Sequence, residues 1–488
     1  MSNFTLSSLK NETLSGITVA LALIPESLAF AAIAGVNPMV ALYTSFCMAV
    51  VIAIAGGRPA MISAATGSMA LLMTGLVAKY GVEYLFAATI LTGIIQFLIG
   101  MFRLGKFFNF IPQSVISGFV NALGILIFVA QIKQIAGQPW QAYLMVAVTL
   151  AIVYLLPRVT KAVPSPLVAI VAMTLIAIAT SLPIRRVGDM GHITRSLPTF
   201  HLPQITLSLE TLTIILPYSL TLAIVGLLES LLTATLVDEL TDTHSSKERE
   251  VRGQGIANVV TGFLGGMAGC GMVGQSIINV RSGGRKRLST GVAGAFLLFS
   301  IFALQDVVQQ VPMAALNGVM IMVSFETFDW QSLKGIRRIP FNETLAMPCT
   351  MVTALWTHDL AQGVFAGVGI SLLVFGWRIA QIKAVTSIDL SGAKVYTLSG
   401  QLFFGSATHF MELFDFKNDP HQIVIDFSHT HLWDHAVAQT IARVVAKYHR
   451  LDKHVTLIGL NQESYLLARR SGVPEQAVIL NESSILIV

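Results

Sequence analysis

Long apolar runs recur along most of the chain, and they constrain its fold more than any other feature. About fourteen runs between residues 14 and 382 approach the length of about 20 residues that a helix needs to cross a bilayer. Charged residues make up only 12% of the 488 residues, against roughly 25% in soluble domains. So few charges cannot cover a water-facing surface of this size. The sequence therefore predicts an all-α, polytopic domain in the lipid bilayer.

The predicted spans are 14–34, 38–55, 64–79, 84–102, 112–135, 141–157, 165–182, 211–237, 253–268, 273–281, 288–305, 311–329, 344–357 and 360–382. The loops after even-numbered spans carry most of the basic residues: Arg103, Lys106, Arg158, Lys161, Lys247, Arg249, Arg252, Arg281, Arg285, Lys286, Arg287, Lys334, Arg337 and Arg338. Because cytoplasmic loops are rich in Lys and Arg, both termini are predicted to be cytoplasmic. The loop 183–208, with Arg185, Arg186 and Arg195, is an exception. This distribution also accounts for the net charge of +5 without a nucleic-acid partner.

The composition changes after Lys383, where short β-rich runs alternate with helical stretches. The predicted strands are Val395–Leu398, Ile423–Phe427 and Val455–Gly459, and the predicted helices are Ala436–His449 and Glu463–Ser471. This alternation is typical of a small α/β domain. We therefore expect a cytoplasmic α/β domain over residues 388–488, behind a transmembrane domain over residues 1–384.

Two short strings occur twice in the same order, which indicates an internal repeat. Leu23-Ile24-Pro25-Glu26-Ser27-Leu28 lies in span 1, and Gly226-Leu227-Leu228-Glu229-Ser230-Leu231 lies in span 8. Each is followed by a Gly-Gly pair, Gly56-Gly57 or Gly265-Gly266, that leads into a weakly hydrophobic span. The offset of seven spans is odd, so the second copy is reversed across the membrane. Such inverted repeats are a recurrent build of secondary transporters.

The weak spans 3 and 10 open with small and polar residues rather than with apolar ones. Irregular backbone at this depth is tolerated only where it lines a cavity inside the protein. Half-helices that begin there point free N–H groups and a positive dipole end at the cavity, which suits an anion. Close packing of small residues between helices is the alternative reading. The candidate anion-binding residues are Thr66, Gly67 and Ser68 in span 3 and Gly274, Gln275 and Ser276 in span 10.

Glu26 and Glu229 lie deep inside the first and the eighth predicted spans. A charge at the bilayer centre costs about 2.5–3.5 kcal/mol on insertion scales, so such residues are usually functional. Glu26 and Glu229 are therefore candidates for cation coupling, by taking up a proton or by binding sodium. Thr233 lies one helical turn after Glu229 on the same face and could share a sodium ion. Each acid could instead be hydrogen-bonded for structure alone.

Cys47, Cys270 and Cys349 stand alone in apolar surroundings. Their spacing is not that of a metal site, and no metal or other cofactor is expected. We interpret all three as small buried residues.

These motifs resemble the sulfate permease (SulP) family. The resemblance lies in Leu23-Ile24-Pro25-Glu26, in Gly56-Gly57-Arg58-Pro59 leading into Ala64-Ala65-Thr66-Gly67, and in the run from Gly265 to Gly284. It covers nearly the whole chain. The sequence is most similar to bacterial members taken to be proton-coupled dicarboxylate symporters of the fumarate type, with a C-terminal STAS domain.

The resemblance implies seven plus seven inverted spans, with spans 1–4 and 8–11 as a moving core and spans 5–7 and 12–14 as a gate. It also implies a homodimer in a bacterial inner membrane and an elevator-like motion of core against gate. By position it assigns the substrate pocket to the six candidate residues of spans 3 and 10, flanked by Glu26 and Glu229. Sodium-coupled bicarbonate members carry an acid and a threonine where this chain has Glu229 and Thr233, so sodium remains an alternative to the proton.

Two positions depart from the family pattern. Many members carry arginine in the tenth span beside the pocket, where this chain has Gln275, so we expect a substrate charge offset by a co-transported cation. In the predicted STAS domain, His435 stands where related domains have a phosphorylatable serine. Phosphorylation at that position is therefore not expected.

The leading hypothesis is a proton-coupled symporter of a small anion, with dicarboxylate, bicarbonate and sulfate as candidates in that order. A nucleobase carrier of related fold is disfavoured by Gln275 and by residues 388–488. A membrane-tethered STAS sensor is a further alternative. An enzyme is not expected, because the Gly-rich run at 265–274 lacks the Lys-Ser/Thr of a phosphate-binding loop and nothing else in the sequence suggests a catalytic site.

Overall fold

The computed structural model describes residues 6–105, 111–159, 164–191, 196–206, 208–335, 345–357 and 359–479. The basic residues Lys106, Lys161, Arg195, Arg337 and Arg338, and the last part of the predicted STAS domain at 480–488, lie outside these ranges. The chain forms two compact units, which divide between Val368 and Gly369. The boundary predicted from the sequence, residue 384, lies later in the chain. The last long apolar helix runs from Leu360 to Ile379, so the division between the units falls inside this helix.

Sixteen described helices belong to the membrane part of the chain. They are α1 (Leu6–Ala34), α2 (Pro38–Ala55), α3 (Gly67–Tyr80), α4 (Val82–Met101), α5 (Gln113–Ile135), α6 (Trp140–Val159), α7 (Ser165–Ala179), α8 (Leu209–Thr241), α9 (Lys247–Phe263), α10 (Val273–Arg281), α11 (Arg287–Ala303), α12 (Gln305–Gln309), α13 (Met313–Thr327), α14 (Trp330–Gly335), α15 (Ala346–Thr357) and α16 (Leu360–Ile379). Of the described helices, seven are long and apolar enough to cross a membrane: α1, α2, α4, α5, α6, α8 and α16.

The ninth predicted span is displaced at both ends, and the first begins at Leu6 rather than at residue 14. The ninth span was expected at 253–268, whereas α9 begins at Lys247. The side chain of Ser246 caps this helix by accepting a hydrogen bond from the N–H of Arg249. The helix ends before Gly265, whose φ of +73° is a left-handed conformation that favours glycine. The polar first turn of α9 concealed its true start from a hydropathy argument.

The first of the two compact units, which ends at Val368, is called the membrane unit below. Two very short strands lie at its centre, and each leads into a half-helix. β1 (Ser63–Ala65) pairs antiparallel with β2 (Gly269–Gly271), with Ala64 opposite Cys270, and both strands are fully buried. α3 begins two residues after β1, and α10 begins two residues after β2. The short, interrupted spans 3 and 10 expected from the sequence are therefore present, and the extended segments that precede them satisfy each other's backbone groups.

The serine that follows each intramembrane acid anchors one of these strands. Ser230 accepts a hydrogen bond from the N–H of Gly271 at 2.9 Å. Ser27 is 2.6 Å from Ser45, whose hydroxyl accepts from the N–H of Ala65 at 3.3 Å. The repeated Glu-Ser pair thus has the same structural task in both copies.

The paired strands β1 and β2 form what we call the strand crossing. Helix α9 supports this strand crossing with a stripe of buried polar side chains spaced four residues apart. Gln254 donates to the hydroxyl of Ser63 at 2.7 Å. Asn258 accepts from the N–H of Gly269 at 2.9 Å and donates to its carbonyl at 3.0 Å. Glu250 accepts from the N–H groups that precede β1, at Gly57 and Arg58. The sequence argument missed this stripe, although the i, i+4 spacing was visible.

The second unit contains a five-stranded sheet in the order β3-β4-β5-β6-β7. Its strands are β3 (Lys383–Ile388), β4 (Lys394–Leu402), β5 (Gln422–Leu432), β6 (His454–Ile458) and β7 (Val478–Ile479), and its helices are α17 (Ala407–Glu412), α18 (His435–His449) and α19 (Gln462–Arg470). β3 pairs antiparallel with β4, and the other neighbours are parallel. The predicted α/β character is correct, but the sequence argument missed β3, β7 and α17, which are exposed or very short. His435, at which no phosphorylation is expected, is the first residue of α18.

One buried carboxylate organises the interior of this unit. The Asp419 side chain accepts from the Tyr396 hydroxyl at 2.7 Å, from the Lys394 ammonium at 2.6 Å, and from the Tyr448 hydroxyl. Burial and this hydrogen bond raise the pKa of Tyr448, because both disfavour a second negative charge beside Asp419. The tyrosines therefore remain neutral donors, and the carboxylate is fully satisfied.

The strand crossing leaves no room for a larger residue at Gly269. A Cβ atom there would lie 2.5 Å from the Ala64 carbonyl oxygen and 2.9 Å from Met48 Cγ. We expect Gly269→Ala to destabilise the protein by about 1–3 kcal/mol through overpacking. At Gly291 in α11 a Cβ would meet Ala53 at an ordinary 3.6 Å, so Gly291→Ala is the matched control. Thermal unfolding in detergent should show a lower Tm for the first variant only, and equal Tm values would contradict this account.

Candidate functional site at the crossed half-helices

The strand crossing brings together the two half-helix N-termini and the two intramembrane acids. α3 packs against α1 and α8, and α10 packs against the same two helices. Because these long helices carry Glu26 and Glu229, each carboxyl lies beside a half-helix. The arrangement joins residues that are far apart in sequence, as the inverted repeat predicts.

Glu229 is held by side chains from the other copy of the repeat and from β2. Its Oε2 atom accepts from the Ser68 hydroxyl at 2.7 Å and from the Cys270 thiol at 2.7 Å. The Thr66 hydroxyl lies 3.0 Å from that of Ser68 and 3.3 Å from the Cys270 sulfur. A cluster of three small donors therefore surrounds one carboxylate oxygen in a largely buried position.

Glu26 has the corresponding contact on the opposite side. The side-chain amide of Gln275, on α10, donates a hydrogen bond to Glu26 Oε2. The acid of the first copy thus contacts the half-helix of the second, and the acid of the second contacts the half-helix of the first. In the described part of the chain, neither carboxyl forms an ion pair with lysine or arginine.

Two of the predicted site residues use their hydroxyls on the backbone. Ser276 is fully buried and accepts from the N–H of Ile62 at 2.9 Å, so it fixes the segment before β1. Thr233 donates to the carbonyl of Glu229 at 2.7 Å and lies 3.4 Å from the carbonyl of Gly271. The structure places both beside the predicted pocket, with their hydroxyls engaged.

The two half-helix glycines differ in their surroundings. A Cβ at Gly67 would lie 3.0 Å from Ile127 Cδ1 and 3.1 Å from Phe30 Cε1, so apolar groups cover the start of α3. At Gly274 nothing lies within 4 Å, and the residue is exposed. The N-terminus of α10 is therefore open in this conformation, while that of α3 is closed.

A cavity of about 790 Å³ lies beside the middle of α3. It is lined by α1, α3, α5 and α8 and by the turn before α16, with Thr74, Lys133, Tyr218 and Asp359 among its polar groups. Ile127 and Phe30 are close in sequence to its lining residues on α5 and α1. Both side chains cover Gly67, which lies one to two helical turns before the α3 residues that line the cavity.

The sequence argument missed two residues of this site. Cys270 was interpreted as a small buried residue, yet its thiol contacts the Glu229 carboxyl. Glu326, near the end of α13, is close enough to Glu26 for the two carboxyls to interact electrostatically. Its position as an acid at the end of an apolar run was the available signal, whereas the role of Cys270 had no signal in the sequence beyond its place in the repeat.

Residues 9–153 and 138–350 match the sulfate permease family, and residues 382–481 match the STAS domain. The chain belongs to the sulfate permease family. It is accordingly a multi-pass membrane protein and an anion transporter rather than an enzyme, as the motifs predicted.

Two curated relatives illustrate the range of names in this family. The Bacillus subtilis protein named "Putative sulfate transporter YbaR" is 53% identical over 463 residues, which cover 95% of this chain and 97% of the relative. The "Bicarbonate transporter BicA" of Synechocystis is 29% identical over 415 residues, or 78% of this chain and 72% of the relative.

Solved structures confirm the fold class. The transmembrane domain of a cyanobacterium bicarbonate transporter BicA matches with a TM-score of 0.67 and 27% identity, covering 75% of this chain and 99% of that one. Murine Solute Carrier 26 family member A9 matches with a TM-score of 0.84 and 16% identity, covering 97% of this chain and 90% of that one. The second likeness shows the fold alone: a helical membrane domain followed by a STAS domain.

The contact of Ser276 with the backbone can be tested separately from transport. Removing its hydroxyl leaves the buried N–H of Ile62 without that acceptor, at an expected cost of about 1–3 kcal/mol. We expect Ser276→Ala to lower the Tm by several degrees. Ser45→Ala, which removes the contacts with Ser27 and with Ala65 at the other end of β1, should have a similar effect. An unchanged Tm in both variants would show that these hydroxyls do not hold the crossing.

Proposed function

We propose that this protein is a secondary active transporter that couples the uptake of a small anion to a cation, with the proton as the coupling ion. The observation that carries the proposal is the pair of carboxyls at the half-helix N-termini, neither of which is paired with lysine or arginine in the described part of the chain. Helix N-termini attract an anion, whereas two carboxylates repel it. A cation that neutralises the carboxyls makes the site favourable for the anion.

The proposed cycle follows from this charge balance. With a proton on Glu229 or Glu26, the N–H groups at the starts of α3 and α10 hold the anion without a nearby negative charge. After the site faces the other side, loss of the proton restores the repulsion and releases the anion. Because anion and proton favour each other's binding, their coupling is reciprocal.

The larger movement is proposed to be elevator-like. In this proposal, spans 1–4 and 8–11 form the core that carries the site, and spans 5–7 and 12–14 form the gate. The contact of Ile127, on α5, with Gly67 would then be a contact between gate and core that must break when the site opens on that side. A homodimer in a bacterial inner membrane, with both termini in the cytoplasm, completes the proposed arrangement.

Sulfate is the first substrate candidate, because the name of the relative that is 53% identical refers to a sulfate transporter. Bicarbonate follows, since the relatives at 28–29% identity are named bicarbonate transporters. A dicarboxylate, the first expectation from the sequence, becomes the third candidate. The site favours a small anion of any of these kinds, because its donors are backbone N–H groups and small side chains.

Radiolabelled uptake into proteoliposomes tests this proposal. Sulfate, bicarbonate and fumarate are offered under an inward proton gradient, an inward sodium gradient, or neither. We expect accumulation of one anion under the proton gradient. Accumulation under the sodium gradient alone would favour Glu229 and Thr233 as a sodium site, and the absence of uptake for all three anions would contradict the proposed substrates.

Removing the Glu229 charge should abolish coupling. We expect Glu229→Gln to lose concentrative uptake to background while the protein remains folded and inserted, because a glutamine cannot exchange a proton. Glu239→Gln, at an exposed position near the end of the same helix, is the matched control and should accumulate the anion normally. Normal accumulation by Glu229→Gln would refute its coupling role.

A fixed positive charge at residue 275 should replace the proton at Glu26. In Gln275→Arg the guanidinium would occupy the place of the amide that now contacts Glu26 Oε2. We expect the variant to bind and exchange the anion with a several-fold weaker dependence on external pH, because the carboxylate no longer needs a proton. Gln275→Leu, which adds no charge, should keep the wild-type dependence, and an unaltered pH profile in Gln275→Arg would contradict this role of Glu26.

A further inference from the structure

The surroundings of Glu229 can be compared with the requirements of a sodium ion, the alternative coupling cation. Sodium is a hard cation, and hard cations take oxygen ligands from carboxylates, carbonyls and hydroxyls. Oxygens are present nearby in Glu229, Ser68, Thr66 and Thr233. A sulfur atom is among them, because the Cys270 thiol contacts Glu229 Oε2 at 2.7 Å.

Of the groups around this carboxylate oxygen, the thiol suits a sodium ion least. Ser68 and Cys270 both direct a hydrogen atom at Oε2, and Thr233 donates its hydroxyl hydrogen to the backbone of its own helix. Thiol and thiolate groups are soft ligands that suit copper, zinc and iron, not sodium. On the side of Glu229 that faces β2, the neighbouring atom is therefore the sulfur of Cys270, where a sodium site needs an oxygen.

The backbone fixes the position of this sulfur. Cys270 is the middle residue of β2, pairs with Ala64 of β1 and is fully buried. Its neighbours Gly269 and Gly271 are clamped by Asn258 and Ser230, so the thiol cannot turn away by a shift of the strand. A serine at this position would place a hydroxyl oxygen beside Glu229 with the same backbone.

We propose that Cys270 is a specificity-determining residue that keeps sodium out of the Glu229 site. The inference rests on the proposed function, in which Glu229 is a coupling carboxyl. It goes beyond that function because it names the side chain by which this chain discriminates between coupling cations. The sulfur leaves an incomplete oxygen shell for sodium, whereas a proton needs only the carboxylate oxygen itself.

The test compares sodium binding and sodium-driven uptake in the wild-type chain and four variants. A ligand that binds the folded state raises the Tm, so purified protein is melted in sodium chloride and in choline chloride of equal concentration. We expect no sodium-dependent shift in the wild type, a rise of several degrees in Cys270→Ser, and none in Cys270→Ala, which removes the thiol without adding an oxygen. Cys47→Ser makes the same change at a buried cysteine in α2, and it should show no shift.

Uptake provides the second readout. At equal pH on both sides, an inward sodium gradient should stimulate sulfate uptake at least several-fold in Cys270→Ser, and leave the wild type and Cys270→Ala at their basal rates. Glu229→Gln combined with Cys270→Ser should lose both the Tm shift and the stimulation, because the carboxylate ligand is gone.

Two results would overturn the proposal. A sodium-dependent Tm rise or sodium-driven uptake in the wild type would show that the thiol does not exclude sodium, although the transporter assignment would stand. A folded Cys270→Ser protein without any sodium response would show that another feature sets the selectivity. If no anion were taken up by the wild type under any gradient, the proposed function would fail, and the Tm comparison would still decide the role of Cys270.

Discussion

The antiparallel pairing of two three-residue strands is the interaction on which the rest of the membrane unit depends. β1 and β2 place extended backbone at the centre of an apolar unit, where each unpaired N–H or carbonyl would cost several kcal/mol. The strands satisfy each other, and buried polar side chains such as Gln254, Asn258 and Ser230 satisfy the remaining groups. Small residues are required because the two backbones approach closely. Half-helices can therefore begin inside the unit, next to the strands.

The crossing also explains how charge is handled at the site. Each intramembrane acid is contacted from the other copy of the repeat, Glu229 by Ser68 and Glu26 by Gln275, so the two copies complete each other. Neutral donors hold both carboxyls, and a neutral donor stabilises a carboxylate without cancelling its charge. The site therefore remains responsive to a mobile cation. A fixed arginine would neutralise the carboxyl permanently, and the binding of the anion would no longer depend on that cation.

Much of this architecture could be predicted from the sequence because it depends on periodic or repeated features. The apolar runs predicted most helices, and the two Glu-Ser strings at a seven-span offset predicted the inverted pairing of half-helices. The polar stripe of α9 was missed because a buried Glu250, Gln254 and Asn258 look like a solvated face until their partners are known. Cys47 and Cys270 are buried, as predicted, whereas Cys349 is only half-buried. The contact of Cys270 with Glu229 was not foreseen, because the two residues lie 41 positions apart. Ser276 was grouped with the pocket by position, whereas the orientation of its hydroxyl can be seen only in three dimensions.

The central claim is that an anion and a proton cross together through the site formed by the crossed half-helices. The most direct test follows the lumenal pH of weakly buffered proteoliposomes with an entrapped dye while sulfate is added outside at equal starting pH. The account predicts that the lumen acidifies as sulfate enters, and that Glu229→Gln vesicles show no acidification. Sulfate entry measured in parallel, without any change in lumenal pH, would contradict proton coupling and with it the role assigned to the intramembrane carboxyls.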